Sequence, residues 1–155
     1  MLIRLLAIGT KMPAWIEQGF LEYAKRFPAS CQLKLIEVPA AKRTKNSVIE
    51  RLVEEEGEKL LAVIKPNHHV IALEIKGKMW STEQLAAQLE NWQNERRNID
   101  LLIGGPDGLS NRCLQKAETK WSLSPLTLPH PLVRVILAEQ LYRATSILQG
   151  HPYHR

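Results

Sequence analysis

Leu101-Leu102-Ile103-Gly104-Gly105-Pro106-Asp107-Gly108-Leu109-Ser110 reads as a buried strand running straight into a glycine turn and then a helix start, and this reading decides the fold. An apolar run of strand length closed by Gly-Gly-Pro is the signature of a strand inside a covered sheet. Glycine lacks a Cβ, so a backbone there can approach a ligand closely. A second stretch, Trp121-Ser122-Leu123-Ser124-Pro125-Leu126-Thr127-Leu128-Pro129-His130-Pro131, follows a few residues on. It is apolar and hydroxyl-bearing and ends in prolines around a histidine. Two such loops side by side would wrap a small molecule with main-chain groups alone.

Working outward, Leu2 to Ile8 predicts a strand ending at Gly9. Ile16, Phe20, Tyr23 and Phe27 give a helix from Pro13 to Phe27, and Pro28 stops it. Leu33 to Val38 predicts the second strand. Ser47 and Glu50 fit a capping box for a helix reaching Ile64, and Ser81 and Gln84 fit another for a helix carrying Leu85, Leu89 and Trp92. Between those helices, His69 to Ile75 predicts a third strand, turned by Gly77. Ile99 to Ile103 is the fourth, Ser110 caps a short helix to about Thr119, and Ser122 to Leu128 is a fifth strand. A final helix starts at Pro131 and runs to Leu148. Strand and helix alternate five times, which predicts an α/β fold with a mostly parallel sheet flanked by helices, in one domain over residues 1–155.

The 155 residues carry 21 Lys and Arg against 16 Asp and Glu, a net charge of +5. That excess favours an anionic partner such as RNA, though many basic proteins bind none. The two cysteines, Cys31 and Cys113, have no metal-like spacing and predict free, buried thiols in a reducing compartment. The apolar start is broken by Arg4 and is too short for a signal-peptide core, and no run nears the ~18 apolar residues of a membrane span. A cytoplasmic location is expected.

In open α/β sheets ligands sit beyond the carboxyl ends of the strands, here Leu73-Glu74, Gly104-Gly105 and Leu123 to Leu128. The glycines at 104, 105 and 108 match neither a dinucleotide fingerprint nor a P-loop, so the alternative is a plain tight turn. His130 could contact a substrate or move a proton, or simply bond to the backbone at a helix start. His151 and His154 lack a third ligand, so no metal is expected. Lys42, Arg43 and Lys45 lie in an exposed loop, and either contact RNA or are merely solvated. The last helix is apolar over so wide an arc that it fits either a subunit interface or a helix central to one domain. Tyr142, Tyr153 and His154 could stack on bases, with Arg134, Arg143 and Arg155 near phosphates.

Several segments together resemble the bacterial RlmH family of the SPOUT methyltransferase superfamily. They are Leu5 to Pro13, Arg26-Phe27-Pro28, Ile36 to Ala40, Leu101 to Ser110, Ser122 to Tyr142 and the ending His151 to Arg155. The resemblance spans essentially the whole chain. It implies a SPOUT-type fold with a C-terminal deep trefoil knot, which ordinary topology rules would have rejected. It also implies a homodimer and S-adenosyl-L-methionine as cofactor, contacted by Leu73, Gly104, Leu123, Ser124, Pro125, Leu126, Thr127 and Leu128, with Gly105 beside them. The implied reaction is methyl transfer to N3 of a pseudouridine in 23S rRNA of the assembled ribosome.

On that reading His130 is the candidate base and Arg134 the candidate cationic partner. Tyr142, Arg143, Tyr153, His154 and Arg155 are the candidate substrate contacts. The competing readings are a non-catalytic ribosome- or RNA-binding protein and a SPOUT methyltransferase acting on tRNA.

Overall fold

The computed structural model describes residues 1–155 and contains one sheet of five strands. The strands are β1 (Leu2–Ile8), β2 (Gln32–Val38), β3 (His69–Met79), β4 (Ile99–Ile103) and β5 (Thr119–Ser122). The helices are α1 (Ala14–Ala24), α2 (Ile49–Val63), α3 (Thr82–Asn94), α4 (Asn111–Lys116) and α5 (His130–Leu148), followed by a single 3-10 turn at Pro152–His154. Every strand pair is parallel and the order is β2-β1-β4-β3-β5.

The continuous apolar runs of β1 and β4 follow from burial on both faces. Ile3, Leu5 and Ala7 with Ile99, Leu101 and Ile103 point to one side, where α1, α3 and α5 supply Phe20, Leu89 and Leu137. Leu6, Ile8 and Leu102 point to the other side, against Leu60 of α2 and Cys113 of α4. Each fully buried leucine contributes about 1.5–3 kcal/mol relative to exposure. Both cysteines are free and buried, and burial pushes both thiols up from their ordinary pKa.

Helix α5 lies between α1 and α3, and this buries part of its wide apolar arc: Val133, Leu137, Ala138, Leu141 and Ala144 are buried within the chain, while Leu132 and Ile136 stay half-buried. No helix is long and apolar enough to cross a membrane.

Three local expectations are corrected. Ser47 caps nothing in α2: its hydroxyl accepts the Thr44 N–H, and Val48 occupies the cap position. Gly77 does not turn the chain out of the sheet. β3 continues to Met79, and Leu73 and Lys78 both face Trp121, so residues 74–77 bulge outward. A Cβ on Gly77 would lie 2.6 Å from the Lys120 carbonyl carbon, so glycine is what allows the strands to close. The fifth strand is Thr119–Ser122, and residues 123–128 form a loop whose one proline, Pro125, and hydroxyls withdraw it from the ladder. The capping box of Ser81 and Gln84 and the Ser110 cap are present as expected.

Candidate active site

The bulge of β3, the glycine turn after β4, the loop after β5 and the first turn of α5 meet in an open cleft of about 620 Å³, counting the space open to solvent. Leu73, Gly104, Gly105, Leu123, Ser124, Leu126, Thr127 and Leu128 line it, while Pro125 lies in the same loop but does not. Glu74, at the strand end singled out in the sequence, lines it too, while sequence reasoning missed Ile75, which the bulge delivers to the rim, and Val133, one turn into α5.

No backbone-to-backbone hydrogen bond involves residues 123–128. Two short side-chain links hold the loop: the Ser124 hydroxyl accepts the Leu126 N–H at 3.0 Å, and the Ser122 hydroxyl donates to the Ser124 carbonyl at 3.3 Å. The loop therefore presents idle main-chain donors and acceptors beside leucine side chains. Such a set can read the edge of a flat heterocycle while covering its faces.

The glycine turn is fixed by close approach. A Cβ at Gly104 would sit 2.6 Å from the Gly108 carbonyl carbon. One at Gly105 would sit 3.0 Å from Ile8 and 3.3 Å from a Glu56 carboxylate oxygen. Gly108 holds φ +82°, where a side chain is strained.

His130 opens α5 and faces the cleft. Burial, then the positive charges of Arg134 and Arg43, push its pKa below the ordinary imidazole value, with Glu56 opposing weakly. The ring is thus neutral at neutral pH, and its Nδ1 is buried without a partner. Arg134, four residues on, is 1% exposed. Its Nη1 donates to Glu37 at 2.7 Å and its Nη2 to the carbonyls of Ile8 and Gly9 at 3.2 and 2.7 Å. The guanidinium thereby pins the start of α5 to the end of β1.

The family profile described as "Predicted SPOUT methyltransferase" matches residues 1–154. The chain belongs to the SPOUT methyltransferase family. Among curated SPOUT relatives it is 57% identical over 155 residues to "Ribosomal RNA large subunit methyltransferase H" of Hahella chejuensis, covering 100% of this chain and 99% of that one. It is 52% identical to the protein of that name from Ectopseudomonas mendocina, with both chains covered completely. A probable methylase family protein from Haemophilus influenzae superposes with a TM-score of 0.58 at 14% identity, covering 99% of this chain and 70% of that one, and supports the fold alone.

The remaining candidates of this SPOUT chain lie at the far end of α5. Its nineteen residues span about 28 Å at 1.5 Å per residue. The Tyr142 and Tyr153 rings are 4.6 Å apart, and the Arg143 guanidinium sits 4.9 Å from the Tyr153 centroid. Glu139 collects the Tyr153 hydroxyl at 3.1 Å and the Arg143 Nε at 2.8 Å. Burial and the Glu139 charge push the Tyr153 phenol up to about 12. His154 bonds the His151 carbonyl at 2.6 Å, and Arg155 follows, exposed. These side chains form a cluster of their own, away from the cleft of the same chain. No group of three or more His, Cys, Asp or Glu is placed to hold a metal.

The basic loop is also more ordered than its sequence suggests. Ala41 is buried and Arg43 is pinned to Glu56 and Asp107, leaving Lys42 and Lys45 exposed. Glu56 was hidden in the run Glu54-Glu55-Glu56, where only its neighbour Gly57, pressed against Ser110, marks an inward-facing turn.

Proposed function

We propose that this SPOUT chain is an S-adenosyl-L-methionine-dependent methyltransferase acting on N3 of a pseudouridine in 23S rRNA of the assembled ribosome, in the cytoplasm. The observation that carries the reading is the cleft, whose walls are leucines, glycines and the main-chain groups of residues 123–128, none of them bonded to other backbone. That donor set fits the cofactor: an adenine edge needs amides and carbonyls, and its faces need apolar cover. The names of the full-length relatives support large-subunit rRNA as substrate. A deep trefoil knot formed by the chain after β4 belongs to the same reading, supported by family membership.

S-adenosyl-L-methionine supplies a sulfonium methyl, already a strong electrophile. The chain's own part is to align the reacting nitrogen and keep water out. Neutral His130, on the cleft wall, accepts the imide proton of N3. Arg134 sets the position of His130 through Glu37 and the β1 carbonyls, and its charge favours the developing imide anion. Leu123, Leu126 and Leu128 exclude water.

The substrate contacts Tyr142 and Arg143 lie about 18–20 Å along α5 from His130 on the cleft wall, and Tyr153 packs back beside them onto Glu139. A homodimer that sets one chain's tail at the partner's cleft brings both halves together. Trp15 and Leu21, 60% and 53% exposed on α1, offer apolar surface for it.

Incubation of methyl-labelled cofactor with 70S ribosomes, free subunits and tRNA, followed by mapping of the label, tests the reading. Label at N3 of one 23S pseudouridine is expected. Label on tRNA redirects the substrate, and no uptake of cofactor leaves a binding protein.

A further inference from the structure

Behind the glycine turn lies an ion cluster in which Glu56 is buried and Arg43 and Asp107 reach the surface. Glu56 of α2 is 1% exposed. Its Oε2 accepts the Ala41 N–H and the Arg43 Nη1, both at 3.0 Å. Arg43 Nη2 reaches on to Asp107 Oδ2 at 3.0 Å, inside the turn itself, and Nη1 also donates to the Ala41 carbonyl at 3.2 Å. Gly105 is the contact point: it lines the cleft on one side, and a Cβ built on its other side would meet Glu56 at 3.3 Å.

We infer that Arg43 and Glu56 are positioning residues that hold the Gly104–Gly108 turn in its donor-binding shape from behind. The inference rests on the cleft being a methyl-donor site. A buried carboxylate is an expensive way to fill space, and an apolar pair of similar volume usually serves stability as well or better. What an apolar pair lacks is direction. Arg43 makes a planar fork between one carboxylate fixed on a helix and one carried by the turn, so the turn is set relative to α2 rather than merely covered. A tightly placed supporting layer of this kind governs how well a site binds, because small errors in its walls are costly to affinity.

Equilibrium dialysis with labelled S-adenosyl-L-methionine tests this, alongside steady-state kinetics on ribosomes and thermal unfolding, all on the full chain. The variants are Arg43→Gln, Glu56→Gln and the paired Arg43→Met with Glu56→Leu. Each is expected to weaken donor affinity about tenfold, seen in dialysis and as a raised donor KM, with kcat compared at a pH well above the ordinary imidazole value, where His130 is neutral in every variant. The paired variant is expected to unfold within a few degrees of the wild type. Wild-type affinity in the paired variant overturns the inference, as does weakening seen only where the protein is already unfolding. Uptake by wild type and variants alike defeats the inference alone. No uptake by the wild type defeats the donor-site reading and the inference with it.

Discussion

Arg4 holds both oxygens of Asp100, with Nε to Oδ1 at 2.6 Å and Nη2 to Oδ2 at 2.7 Å, across the β1–β4 pair at the end of the sheet opposite the cleft. The Lys65 N–H and His68 Nδ1 complete the shell at 2.9 Å each. Burial alone would raise the Asp100 pKa, but the hydrogen bonds from Arg4, Lys65 and His68 outweigh it and hold the carboxyl below its ordinary value. The unfolded chain therefore takes this proton first as pH falls. The stabilisation is complete above about pH 4, the unfolded carboxyl's range, and drains away as pH drops through the lower folded value. Asp100→Asn strands a buried guanidinium and should cost about 3–5 kcal/mol at pH 7. Urea midpoints measured from neutral to strongly acid pH check both points. An equally steep acid loss in the variant would mean that other carboxylates set it.

Gly104→Ala separates turn geometry from sheet stability. Its new Cβ would press on the Gly108 and Leu109 backbone, which cannot swing aside as a side chain can. Overpacking of this kind costs about 1–3 kcal/mol, and the turn that must open is a wall of the cleft. Calorimetric titration should show donor affinity falling at least about tenfold while far-UV circular dichroism stays native. Wild-type affinity would show that the ligand does not touch this turn.

If His130 takes the N3 proton, its neutral form is the active one. Its pKa lies below the ordinary imidazole value, so kcat/KM should hold as pH falls through about 6.5 and decline only at lower pH. His130→Ala should lower kcat about 100-fold or more with donor affinity preserved. Unchanged turnover on ribosomes removes the base role.

The distance between cleft and tail yields a complementation experiment. His130→Ala and a variant with Tyr153 and Arg155 both changed to Ala should each be nearly inactive alone. If the chain pairs as proposed, mixing and re-pairing gives heterodimers in which one composite site is intact, and activity returns. Absence of recovery, with heterodimers demonstrated, would place cleft and tail in separate functions.

The strands were legible because burial on both faces leaves uninterrupted apolar runs, as in Leu101 to Ile103. Cleft residues were legible because glycine and proline mark backbone geometry directly. Ser47 misled because a hydroxyl three residues before a glutamate is only permission for a cap, and the Thr44 N–H competed for it. Gly77 misled because glycine permits close strand approach as readily as it permits a turn. The breadth of α5's apolar face was read correctly, but its partners, α1 and α3, are set by topology that periodicity does not encode. Arg43 and Glu56 were invisible as a pair because they stand thirteen positions apart, one in a loop and one on a helix.

Main-chain atoms of residues 123–128 carry no information about which side chains surround them, and this has an evolutionary and pharmacological corollary. An inhibitor that engaged those amides and carbonyls would present mutation with few levers, because exchanging one side chain for another leaves the peptide groups where they are. Escape would have to reshape the chain path itself, at Pro125 or at the glycines of the neighbouring turn.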